Sequence, residues 1–164
     1  MKTTQFFIAA MLSMMLFIFA SCAKDNELSS GGDDEGSGET VVSKAGGTKS
    51  HNAGNNCMNC HVAGGGDEGR FLAACTAYKS SSQSVYPNAV ITLSTQPNGS
   101  GAVRATLYGD ANGNFYTTAP IDFSGGLYPS IRGVSGNVTY MQTSISQGAC
   151  NGCHGSSTGH ISIQ

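Results

Sequence analysis

The chain has 164 residues, with 10 acidic against 8 basic side chains and a formal net charge of −2 at pH 7; lacking any basic stripe, it is not expected to bind nucleic acid. Charged residues make up only 11% of the sequence, where soluble domains carry about 25%, and the 23 glycines are about twice the usual share. The surface should therefore be weakly charged and rich in Ser, Thr, Asn and Gly, which protects poorly against self-association and brings homo-oligomers or filaments into the expectation.

Lys2 precedes an apolar run over 6–20 that ends in small residues, the pattern of a secretory signal over 1–21. At 15 residues the run is shorter than the roughly 20 needed to span a bilayer as a helix, so a retained membrane helix is the weaker alternative. Phe19-Ala20-Ser21-Cys22 resembles the lipobox of bacterial lipoproteins, which implies acylation of Cys22; a plain signal peptide is the alternative. Ala23-Lys24-Asp25-Asn26-Glu27 resembles the surface-export signals of some such lipoproteins. The expected location is that of an outer-membrane lipoprotein, periplasmic or surface-exposed, or of an extracellular protein, with contact to the membrane only through the lipid.

Removal of 21 of the 164 residues leaves enough chain for one domain with a tether. Residues 22–50 hold Ser29-Ser30-Gly31-Gly32, Asp33-Asp34-Glu35 and Gly36-Ser37-Gly38, too few apolar groups to join a core, and are expected to be a flexible linker.

Cys57-Met58-Asn59-Cys60-His61 follows in a first segment over 51–66, and Cys150-Asn151-Gly152-Cys153-His154 lies in a second over 147–164. Both are C-x-x-C-H, the attachment pattern of c-type haem. In one helical turn the cysteines stand at i and i+3 and the histidine at i+4 shares their face. Two thioethers can then hold one edge of a porphyrin while the imidazole reaches the iron. A Cys₄ zinc ribbon, a redox dithiol and structural disulfides are the competing uses of these cysteines, but none requires a histidine directly after each pair. The expected cofactors are two covalently attached c-type haems, on Cys57, Cys60 and His61 and on Cys150, Cys153 and His154.

Two further histidines, His51 and His160, bring the total to four for the four axial positions of two irons. Bis-histidine ligation would leave no open position for a substrate and would favour outer-sphere electron transfer. Each lies six residues from its neighbouring motif, within reach of either ring, so which serves which haem stays open. Met141 is the alternative distal ligand for the second haem, although a strand methionine more often packs a core.

Between the motifs, over 67–146, short runs rich in Val, Ile, Thr, Tyr and Phe recur between turn residues, the pattern of a β-sandwich. Strands are expected over 70–78, 89–95, 102–108, 114–118, 127–133 and 138–144. The fold class is mainly β, a single Greek-key sandwich with one-turn helical haem segments at both ends. Asp110, Asn112 and Asn114 have the spacing of a calcium loop, but the distal glutamate is missing and Asn112-Gly113 is a hairpin signal. Cys75 alternates with Phe71, Ala73 and Ala77, so a buried thiol is expected there; an intersubunit disulfide, or one with Cys22 if that residue is not acylated, is the alternative.

Ser50-His51-Asn52, the first motif, Asp110-Ala111-Asn112-Gly113-Asn114-Phe115, and Gly148-Ala149 leading into the second motif together resemble bacterial exported cytochromes. In that family c-haem motifs flank a carboxypeptidase-regulatory-like, transthyretin-like β-sandwich. The resemblance covers about 48–164 and implies electron transfer at or outside the cell envelope, with the β-domain as spacer or docking surface. The expected function is a dihaem carrier of single electrons, not an enzyme. Its partners would be envelope redox proteins or an extracellular acceptor. A small dihaem peroxidase or reductase with one open iron, and a binding module with structural metal, are the alternatives.

Overall fold

Runs of β-branched and aromatic residues broken by Gly, Asn and Pro favour strands over helices. The structure, a computed structural model, describes residues 40–64 and 69–164, within the unit Glu35–Gln164. The expected signal over 1–21, Cys22 and the linker before residue 40 lie outside the described residues. Among the described residues the strands are β1 (Ala73–Lys79), β2 (Val90–Ser94), β3 (Val103–Tyr108), β4 (Asn114–Thr117), β5 (Tyr128–Arg132), β6 (Val138–Tyr140), β7 (Gly148–Ala149) and β8 (Ile161–Ile163). The six expected strands are all present, with ends shifted by up to four residues. β7 and β8, of two and three residues, are too short to show an alternating pattern and were not expected.

One sheet has the order β4-β1-β7, with β8 also paired to β1; the other runs β3-β2-β5-β6. β1 is antiparallel to β4 but parallel to β7 at its start and to β8 at its end. The second sheet is antiparallel throughout. A parallel neighbour cannot be reached by a tight hairpin, and here the chain completes the second sheet before returning to β1. Among the described residues the architecture is mainly β, in two sheets, with helix confined to the short turns Cys57–Asn59 and Cys150–Gly152.

The sheets pack through alternate side chains. Ala73, Cys75 and Ala77 of β1 and Phe115 of β4 meet Ile91 and Leu93 of β2, Leu107 of β3 and Ile131 of β5. The small inward residues of β1 leave room for the Phe115 ring, which has no exposure. The opposite face of β1 is also dry: Ala74 is 2% exposed and Thr76 1%. That face is covered by the residues around the two CxxCH motifs.

The end of the expected linker is ordered. Ser43 N donates to Tyr116 O at 2.9 Å and its buried Oγ accepts Tyr116 N at 3.0 Å, while Val42 bridges Thr117. Gly46 N is held by Asn88 Oδ1 at 2.8 Å. The bonds of residues 42 and 43 satisfy the free edge of β4, and all of these contacts use polar groups, which leave no mark in an apolar pattern.

Gly148 is where β7 approaches β1 most closely. A Cβ there would lie inside contact distance of Leu72 O and of Ala73 Cα and Cβ. Gly148→Ala is therefore expected to force β7 off β1 and to cost about 1–3 kcal/mol, as overpacking does. Chemical denaturation checks this; an unchanged midpoint would show that the strand can shift without cost.

Candidate functional site

Both CxxCH sequences close the same turn. In the first (Cys57–Asn59), Cys57 O accepts Cys60 N at 3.1 Å and His61 N at 2.9 Å. In the second (Cys150–Gly152), Cys150 O accepts Cys153 N at 3.1 Å and His154 N at 2.9 Å. Asn56 Oδ1 caps the first turn by accepting Met58 N at 3.2 Å, as an asparagine before a helical turn does. The shared bonding places cysteine, cysteine and histidine at i, i+3 and i+4 of one turn in each case.

The turns lie side by side, joined through the outer face of β1. Thr76 Oγ1 accepts Gly54 N at 2.9 Å and Asn151 Nδ2 at 3.1 Å, and donates to Asn114 Oδ1 at 2.7 Å. Asn151, an interior position of the second motif, also accepts Thr76 N at 3.1 Å and donates to Asn55 O at 2.9 Å. Two residues further along β1, the Tyr78 ring packs on His160, with centroids 4.3 Å apart. The Tyr78 hydroxyl lies where a Cβ on Gly54 would stand, and Gly54 has φ +89. A glycine is thus required there both for space and for backbone conformation. A polar groove of about 360 Å³ runs between the turns, lined by Asn55, Asn56, Asn59, Asn151 and Gly152 among others.

The histidines differ in their surroundings. The His61 ring stacks on Phe71 with centroids 4.0 Å apart, and Phe71 stacks in turn on Tyr116 at 5.0 Å. Phe71 thus leaves the inward-facing row of β1 and backs the histidine instead. The His51 ring lies 6.1 Å from that of His61, centroid to centroid. His154 Nδ1 is 2.8 Å from Gly159 O. A carbonyl can only accept, so Nδ1 carries the hydrogen and the neutral ring keeps its lone pair on Nε2. His160 packs over Gly155, the residue after His154, and among the described residues its ring partner is Tyr78 and not His154. Met141 follows β6 in the second sheet, where its N–H donates to Pro129 O at 2.9 Å.

The cysteines are not equivalent either. Cys57, Cys75, Cys150 and Cys153 carry free thiols, whereas Cys60 is disulfide-bonded. Cys75 is 3% exposed, as expected for a buried thiol. Cys75 and Cys150 follow the register pair Ala74 and Ala149 of β1 and β7, so Cys150, which opens the second turn, stands beside Cys75 of β1. Their hydrogen bond, and then burial, holds the Cys75 thiol well above the usual range. The same bond lowers Cys150. Burial pushes Cys57 up, against an opposing backbone hydrogen bond. Nothing in the spacing of Cys75 from Cys150 along the chain announces this pairing.

Among the described residues, no group of three or more His, Cys, Asp or Glu side chains gathers into a metal-binding set, and no helix is long and apolar enough to cross a membrane. Comparison with protein-family models, with curated proteins and with solved structures returned no match.

Proposed function

We propose that the protein is an exported dihaem c-type cytochrome that carries single electrons at or outside the cell envelope. Cys57 and Cys60 would hold one haem with His61 as proximal ligand, and Cys150 and Cys153 the other with His154. The observation that carries the reading is the separation of His51 from His61. Two imidazoles bound on opposite sides of one metal at about 2.0 Å per bond would have ring centres roughly 6 Å apart, and these stand at 6.1 Å. The donor set of each turn also suits the group. Both turns place cysteine, cysteine and histidine at i, i+3 and i+4, and His154 presents Nε2 because Nδ1 is engaged, the usual way a second partner orients a ligating histidine.

When bound, the haem iron supplies reversible one-electron chemistry. The chain's own residues fix and enclose it: Phe71 backs His61, Asn151 ties one turn to the other, and the thioethers prevent loss of cofactor outside the cell. Attachment needs reduced thiols, so a dithiol reductant supplied during maturation would first have to reduce the disulfide at Cys60. For the second iron we assign His160, packed beside the second turn, as distal ligand, with Met141 as the alternative.

A second reading has its own observation. His160 packs on Tyr78 and not on His154, and an iron left with one open position would suit a small peroxidase or reductase. Carbon monoxide separates the two. Reduced protein matured in a host that attaches c-type haem is expected to show sharp c-type bands unchanged by the gas, because two histidines would occupy each iron on the first reading. A shift in half of the absorbance would favour the enzyme, and a protein that takes up no haem would overturn both.

The Greek-key connection of the sandwich, the leader, acylation of Cys22 and the envelope partners belong to the same proposal. Self-assembly is supported by the edges of the second sheet: Val103 and Tyr108 on β3 and Val138 and Tyr140 on β6 are exposed, and an unpaired edge is a template for another strand.

A further inference from the structure

The loop from Asp110 to Phe115 takes no part in the redox reading, yet its polar side chains are spent on the segment that carries His51. Asp110 Oδ1 accepts the N–H groups of Asn112 and Asn114, each at 2.9 Å, and this fixes the loop's shape as an aspartate does in such turns. Asn112 Nδ2 then donates to Ser50 O at 2.7 Å, with Thr48 O and Ser50 Oγ both at 3.3 Å. Asn114 Nδ2 donates to Ser50 Oγ at 2.9 Å and to His51 O at 3.4 Å.

The orientation of the Asn114 amide follows from its neighbours. Thr76 Oγ1 has both lone pairs engaged, by Gly54 N and by Asn151 Nδ2, so its single hydrogen must go to Asn114. The Asn114 atom facing Thr76 is therefore the oxygen, and the amide nitrogen is left for the His51 segment. Asn114 is 2% exposed, so its donors have no water to turn to, and leaving them unmade is costly.

We propose that Asn114, assisted by Asn112, is the positioning residue for His51: it holds the backbone on which the imidazole stands, so that the ring stays opposite His61. The inference rests on His51 being the distal ligand of the first haem. Through Thr76 and Asn151 the same clamp reaches the second turn. Asn114 touches no iron and acts only through His51.

The test uses full-length, haem-loaded protein carrying C150A/C153A, so that the first haem is the only one present. Asn114→Asp keeps the shape and the acceptor toward Thr76 but removes the donors to Ser50 and His51. Asn112→Ala removes the outer part of the clamp at a half-buried site that a fold tolerates. Both are expected to keep one covalent haem and to raise the carbon-monoxide-reactive, high-spin fraction over the parent. The rise should be on the order of three- to tenfold, the scale of one lost hydrogen bond. Added imidazole should reverse it, and His51→Ala sets the full amplitude.

If His51→Ala leaves the spectrum unchanged, the ligand assignment fails and takes the clamp with it. If His51→Ala opens the iron while Asn112→Ala and Asn114→Asp stay inert to carbon monoxide, the clamp alone is overturned, even where their unfolding midpoints fall. Should Asn114→Asp not fold, Asn112→Ala decides.

Discussion

Replacing both cysteines of the second motif, C150A/C153A, is expected to halve the covalently bound haem, from two per chain to one. On the proposed reading each motif would supply its own pair of sulfurs and its own histidine, and each turn closes on its own hydrogen bonds, so attachment at one would not require the other. C57A/C60A should remove the other half. Cys75→Ala should leave both haems in place, because Cys75 is buried in β1 and belongs to neither motif. The pyridine haemochrome absorbance per chain and the intact mass measure the stoichiometry directly. Retention of two haems in C150A/C153A would sink the assignment of that motif, and loss of haem in Cys75→Ala would show that the buried thiol takes part in attachment.

Phe115→Ala is expected to cost about 3–5 kcal/mol, the usual range for truncating a buried aromatic ring. That is a large part of the roughly 5–15 kcal/mol by which a domain is stable. The ring has no exposure, sits in register beside Cys75, and presses so closely on Gly109 that a Cβ there would stand 2.7 Å from its Cζ. Neighbours this tightly placed, one on β1 and one just after β3, collapse poorly around a cavity, which puts the cost toward the upper end. Tyr140→Ala, on an edge strand at 41% exposure, should change stability by less than about 0.5 kcal/mol. Urea unfolding followed by circular dichroism compares the two. Equal midpoints would mean that Phe115 does not anchor the contact between the sheets.

The strands β1 to β6 are legible in the amino-acid sequence because they carry β-branched and aromatic runs. The turns between them carry Asn98 and Gly99 with φ of 57 and 71, the conformation those residues tolerate best. The turn reading of Asp110 to Asn114 fits the two hydrogen bonds that Asp110 Oδ1 accepts there. β7 and β8 escaped because each depends on β1 as a partner and has too few residues to declare a face. Residues 41–50 looked like tether because they are held by backbone bonds and by the amides of Asn88 and Asn112, and not by apolar side chains.

By itself, the sequence determined the mainly β character, the positions of six strands and the two CxxCH motifs with their matched spacing. All of these depend on residues within one turn or one strand of each other, where period and propensity act locally. Only the tertiary structure decided that the two motifs share the outer face of β1, that Asn151 and Thr76 join them, that His51 faces His61 while His160 rests on Tyr78, and that Cys75 pairs with Cys150. The joining of the motifs, the seat of His160 and the Cys75–Cys150 pair come from parallel pairing of β1 with strands some 75 to 84 residues later in the chain, and the place of His51 from the amides of Asn112 and Asn114. Such pairing is chosen by burial and hydrogen-bond satisfaction across the whole fold, for which no local pattern exists.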